Sequence, residues 1–147
     1  NLSIIQDLTP VLDRSLDMGG INLTKRLAEV LSVNLAQAEE IKKDLGLSLQ
    51  NAQSPALAAL KEMLNPILHE IRYTANLYGG NLSKLILTGG SAFLPSLSAY
   101  LQETFNTLVV VGDPWSAMIF PKGLEGVLNE IGPRFSVAAG LAMREIL

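Results

Sequence analysis

Apolar and polar positions alternate, with interruptions, over the first eighteen residues of the chain. NLSIIQ and VLDRSLDM are two short runs separated by DLTP, the pattern of a β-hairpin whose second strand stops at Gly19-Gly20. The period then changes. In INLTKRLAEVLSV, residues Ile21, Leu23, Leu27, Val30 and Leu31 recur at near-helical spacing, so strand, strand, Gly-Gly, helix is the first unit. NLAQAEEIKKDLGL predicts a second, short helix ending near Gly46, and the polar LSLQNAQ reads as a loop. Ser54-Pro55 is a strong helix start, with serine as cap and proline at the first helical position. Leu57, Leu60, Leu64, Ile67, Ile71 and Ala75 then form one apolar stripe. Pro66 inside that stripe predicts a kink or a break, and Gly79-Gly80 closes the helix.

LSKLILTGG is the next strand, and its short apolar LILT predicts burial on both faces. Leu94, Leu97, Leu101 and Phe105 mark the inner face of a helix that Pro95 starts. TLVVVGDPW is a second apolar strand, stopped by Gly112, Asp113 and Pro114. A looser stretch runs through Pro121 and Pro133 before a last helix, FSVAAGLAMREIL, whose Ala138, Ala139, Gly140 and Ala142 permit close packing on a sheet. Strand, helix, strand, helix predicts parallel strands with right-handed crossovers. With the hairpin beside them, the fold class is α/β with a mixed sheet and flanking helices. The all-helical pattern of 33–80 reads as an inserted subdomain, with 1–32 and 81–147 forming the sheet subdomain.

Composition narrows the function. Of 147 residues, 48% are apolar and 17% charged, enough apolar material for the core of one medium domain or one large lobe. The net charge of −3, with no basic run and no aromatic-basic face, argues against nucleic acid as a partner. No apolar run reaches the roughly 18 residues that span a bilayer. With no cysteine there is no disulfide and no thiolate metal site, and the lone His69 reads as a helix-surface or helix-packing residue. The patterns G-x-S-x-G, H-E-x-x-H and G-x-x-x-x-G-K-[ST] do not occur, so ordinary hydrolase and P-loop chemistry has no support.

Five stretches carry a resemblance. Arg14 with DMGGINLTKRLAEVL resembles R-x-x-x-x-G-G-x-x-[IL]-T; NLAQAEEIKKDLG resembles an A-E-x-x-K helix; LILTGGSAFLPSL resembles a hydrophobic strand followed by G-G-[ST]-x-x-x-P. These are motifs of the actin-like ATPases, in the order found in actin, FtsA, MreB and the heat-shock chaperones. PRFSVAAGLAMREI and HEIRYTANLY further resemble the closing helix and the E-I-x-R helix of the PilM family of type IV pilus assembly proteins, which are FtsA-like. The match extends over nearly the whole chain.

The resemblance implies the second lobe of an actin-like (ribonuclease H-like) fold. It implies ATP with Mg as cofactors and the adenosine side of the ATP site here. By that comparison Gly89 and Gly90 lie against the nucleoside with Ser91 beside them, and Gly20 lies near the ribose. Phe93 stands where chaperone relatives carry an adenine-stacking arginine; it stacks on the base or simply fills core. Glu39 and Lys42, three apart on one helix face, point to the ribose and to adenine or ribose; from charge alone they read as a solvated face. For Gly89, Gly90 and Gly19 the plain alternative is an αL turn.

The family's Mg-phosphate residues have no counterpart in the chain, and its second phosphate loop is expected just before Asn1. The chain therefore reads as a fragment that is inactive as an ATPase alone, with unpaired strand edges on the hairpin and on LILT. For the parent protein the resemblance implies a cytoplasmic place under the bacterial inner membrane. It also implies ATP-set lobe angles and contact with the tail of a PilN-like inner-membrane protein, mainly through the first lobe, and with other pilus assembly proteins. A non-catalytic scaffold and an FtsA-like cell-division filament protein are the alternatives.

Overall fold

The computed structural model describes residues 1–45, 54–116 and 118–144. The expected LSLQNAQ loop and the end of the second helix at Gly46 lie outside the described residues. The chain divides into two compact units, Asn1–Asn81 and Leu82–Leu147.

In the first unit, strands β1 (Leu2–Gln6) and β2 (Thr9–Arg14) pair antiparallel, Leu2 opposite Arg14 and Gln6 opposite Thr9. The register slips between Ile4 and Ile5, where Ile5 faces Pro10, so the proline that cannot donate sits at an irregularity. The turn is only Asp7 and Leu8, both left-handed at φ 48° and 63°. Helices α1 (Gly20–Leu31), α2 (Leu35–Leu45) and α3 (Pro55–Leu77) complete the unit, with α1 packed on both of the others. Leu27, Leu57, Leu60 and Thr74 are its largest fully buried side chains. The predicted face of α1 is partly correct: Leu23 and Leu27 are buried, while Ile21 is 71% exposed. On α3 the buried stripe includes Leu68 where Ile67 was expected.

Ser54 occupies the cap position of α3 but its hydroxyl makes no capping hydrogen bond. The helix is continuous across Pro66, so the expected break is absent. Pro66 lies on the exposed face, where water can serve the carbonyl one turn back, and buried leucines on either side bind both halves to one core. Gly79 and Gly80 end the helix at positive φ, with the Gly80 N–H donating to the Ala75 carbonyl at 2.9 Å. Strand β2 is tied to α3 by side chains. Arg14 pairs with Glu70 at 2.8 Å and lies 5.4 Å from the Tyr73 ring centre, and the Tyr78 hydroxyl donates to the Val11 carbonyl.

The second unit holds strands β3 (Lys84–Leu87) and β4 (Leu108–Val111), parallel as predicted, with helix α4 (Leu97–Phe105) between them in sequence. A Cβ on Gly112 would stand 3.0 Å from the Thr88 methyl and 3.3 Å from an Ile86 methyl, so the two strands approach closely at this end. Among the described residues there are two two-stranded sheets, in place of one mixed sheet. Nor is LILT buried on both faces. Val109 is buried and Leu85 and Leu87 are half-buried on one side, while Ile86 is 54% and Leu108 57% exposed on the other.

Helix α4 starts two residues after Pro95, capped by Ser96 in the left-handed region. A single 3-10 turn, Gly90–Phe93, precedes it. Leu94, Leu97 and Leu101 are buried as expected and Phe105 is half-buried. The last helix, α5, spans Glu125–Met143 and so runs through Pro133, which was expected before its start. Gly132 and Pro133 are buried: a Cβ on Gly132 would meet Trp115 Nε1 at 3.0 Å, and that indole N–H donates to the Leu128 carbonyl at 2.8 Å. The tryptophan thus packs against the helical turn that precedes Pro133. Of the small residues on α5, Ala139 is buried, whereas Ala138, Gly140 and Ala142 are exposed.

Candidate functional site

The expected site residues fall into two local arrangements, one in each unit. In the first unit α2 is set by a reciprocal cap: the Gln37 N–H donates to Asn34 Oδ1 and the Asn34 N–H to Gln37 Oε1. One turn further on, Glu39 and Lys42 meet the first turn of α1. Lys42 Nζ donates to Glu39 Oε2 at 2.6 Å, to Thr24 Oγ1 at 2.9 Å and to the Gly20 carbonyl at 3.2 Å. An ammonium has three protons, so all are used, and the side chain is 12% exposed. Thr24 Oγ1 lies 2.5 Å from Glu39 Oε2 and 2.9 Å from the Gly20 carbonyl, and its single proton serves one of them. Glu39 Oε1 has no hydrogen bond among the described residues.

The charged face predicted for α2 is therefore a partly buried network that joins Gly20, Thr24, Glu39 and Lys42. Sequence reasoning did not single out Thr24; its signal is a hydroxyl on the buried face of α1, four residues after Gly20. The ammonium of Lys42, helped by the Thr24 hydroxyl, holds the Glu39 carboxyl below its ordinary 4.5. A carboxyl with a lowered folded-state value stabilises the fold above its unfolded value and loses that contribution as pH falls through the lowered one. Because the side chain is 39% exposed, water screens the pair, and the loss amounts to about 0.5 kcal/mol. We expect the α1–α2 contact to weaken as pH falls below 4.5, and Glu39→Gln to remove that acid-side slope in amide exchange measured from about pH 6 to pH 3. A slope unchanged in the variant would refute it.

In the second unit Gly89, Gly90, Ser91 and Phe93 follow the carboxyl end of β3, the end of a parallel strand where α/β sheets bind ligands. Gly89 has φ 84° and ψ 176°, a conformation that belongs to glycine and is not αL. Its N–H donates to the Pro133 carbonyl on α5 at 2.7 Å. Gly90 has no positive φ, and a Cβ there would meet only Arg134 Nε, at 3.8 Å. Neither backbone nor packing requires glycine at this position. Ser91 is exposed, and Phe93 is 41% exposed, so it does not fill core. Gly19, by contrast, is extended at φ −153° and is not the αL turn expected of it. A cavity of about 230 Å³ opens at the same strand ends, lined by Thr88, Gly112, Asp113 and Ser136 among others.

Among the described residues no group of three or more His, Cys, Asp or Glu side chains could hold a metal ion. No helix among them is long and apolar enough to cross a membrane.

The family described as "Type IV pilus assembly protein PilM" matches residues 1–146. Among solved structures the chain is similar to one titled "PilM-PilN type IV pilus biogenesis complex", with a TM-score of 0.80 and 27% identity over 99% of this chain. It spans 42% of the length of that protein. No curated protein sequence matches.

Proposed function

Because the chain belongs to the family of the type IV pilus assembly protein PilM, we propose that it forms part of an actin-like lobe supplying the adenosine side of an ATP site. The observation that carries this reading is Gly90. It stands at the carboxyl end of a parallel strand, glycine without a backbone or packing reason, beside an exposed aromatic ring. A ligand approaching the backbone is the remaining physical reason for a missing Cβ. Ser91 offers a hydroxyl at the same turn. In the first unit, taken by itself, Glu39 Oε1 is an acceptor with no hydrogen bond among the described residues, the kind of group a hydroxyl donor uses. Lys42, with its protons spent, holds Glu39 and the Gly20 carbonyl in place; to reach a nucleotide it would have to give up one of those bonds. Among the described residues no group of three or more His, Cys, Asp or Glu could hold a metal, and the resemblance places the Mg²⁺ ligands outside this chain, so no step is assigned to the metal here.

In this reading the protein works at the cytoplasmic face of a bacterial inner membrane. It binds a PilN-like partner, which the complex named for the similar structure supports, and in this reading its nucleotide state sets that grip. A nucleotide-free scaffold is the second reading, favoured by the internal use of all three Lys42 protons. Calorimetric titration of Mg-ATP into the full-length protein decides between them. We expect saturable binding that Gly90→Val weakens by about tenfold or more, the effect of about 1.4 kcal/mol. No binding at millimolar ATP would leave the scaffold.

A further inference from the structure

Two stretches that carry the resemblance have no part in the ATP reading: Arg14, ahead of the first Gly-Gly, and HEIRYTANLY on α3. The structure brings them together. Arg14 Nη1 lies 2.8 Å from Glu70 Oε1, and the guanidinium carbon lies 5.4 Å from the Tyr73 ring centre, so two residues one turn apart on α3 hold one arginine. Glu70 is held in its turn. Thr74, 1% exposed, donates its hydroxyl to the same Oε1 at 3.3 Å. The Arg14 side chain is 42% exposed, so water screens the pair and it adds little to stability. What it fixes is the direction in which β2 ends. From there the chain runs to Gly20, the first residue of α1. The Asn22 side chain donates to the Asp17 carbonyl, and the Asn22 and Leu23 N–H groups donate to the Gly19 carbonyl. The segment is therefore anchored on α3 at Arg14 and on α1 at Gly19.

We propose that Arg14 and Glu70 are positioning residues for the nucleotide: their ion pair sets where β2 delivers Gly20, and through the Gly20 carbonyl it sets Lys42 and Glu39; this rests on the ATP-site reading above. Neither residue touches the ligand. The Lys42 bond to Gly20 is 3.2 Å long, so a shift of about 0.5 Å at Gly20 takes it beyond hydrogen-bond range. Lys42 then holds Glu39 less firmly, and the acceptor offered to a hydroxyl donor moves with it. Arginine suits the position because its edge meets a carboxylate while its face lies on a ring; an ammonium has no face.

The test is a double-mutant cycle on the full-length protein, with Arg14→Met, Glu70→Gln and the two combined, read by calorimetric titration of Mg-ATP and by thermal midpoint. Methionine keeps an apolar stem over Tyr73. Glutamine keeps an acceptor for Thr74 and removes only the charge, so it answers the question even where Arg14→Met does not fold. We expect Arg14→Met to bind about fivefold more weakly and the double variant to bind no more weakly than Arg14→Met alone, because the second change removes nothing that remains. Wild-type affinity in both single variants overturns this proposal alone and leaves the ATP reading standing. Losses that multiply in the double variant also overturn it, since the residues would then act separately. So does a lowered midpoint with unchanged affinity, the mark of a pair that only holds the fold. Absence of binding by the wild type overturns both readings.

Discussion

Leu60→Ala is expected to lower stability by about 2–5 kcal/mol, the cost of removing a buried leucine and leaving the cavity. Leu60 is 1% exposed and lies on α3, which packs on α1, where Leu27 is fully buried. Leu57 and Leu64 flank it on the same stripe, so nothing nearby is free to collapse into the space. The thermal midpoint of the full-length protein is expected to fall by roughly 10 °C. A fall below 2 °C would mean that the α1–α3 contact is not a core. Val137→Ala, at a side chain 74% exposed, serves as the control and is expected to change little.

Gly89→Ala is the second large effect, and its origin differs. A Cβ at Gly89 would meet nothing within 4 Å, so packing does not resist it. The backbone does: φ 84° with ψ 176° is a region closed to residues with a Cβ, at a cost of about 1–3 kcal/mol. Relaxing that strain would turn the Gly89 N–H away from the Pro133 carbonyl. Gly90→Ala, one residue on, is expected to be tolerated within about 0.5 kcal/mol, since neither its φ nor its surroundings oppose a methyl group. Denaturant unfolding of the two variants side by side makes the comparison. Equal losses would show that Gly90 too is a structural glycine.

The elements that local pattern specifies were legible. Period two followed by period 3.6 located the hairpin and α1, Ser54-Pro55 located the start of α3, and two short apolar runs located a parallel pair. Prolines misled in both directions. Pro66 read as a kink or a break and Pro133 as part of a looser stretch before the last helix, but each sits within a helix, with buried leucines on both sides of Pro66 and the Trp115 indole beside Pro133. Pro95 read as a start, but left-handed Ser96 intervenes. LILT read as doubly covered because composition reports hydrophobicity and not what lies against it; Ile86 is apolar and exposed.

At the candidate site, the residue types were legible and their contacts were not. Helical spacing puts Glu39 and Lys42 on one face. Which way that face points depends on Thr24 and Gly20, on another helix, and no local pattern encodes that. The pairing of Arg14 with Glu70 was hidden for the same reason. One ends a strand and the other lies on a helix far along the chain, and neither carries a signal of the other.

The hydrogen bond from Gly89 to the Pro133 carbonyl is a strut between the strand end and the middle of a 19-residue helix. It is short, and it grips α5 at a buried point braced by tryptophan, so the turn cannot shift without dragging the rod. A shift of the turn and a shift of the helix at Pro133 are thus tied by one bond, and a group settling on the glycines would press on α5 as well as on the strand end.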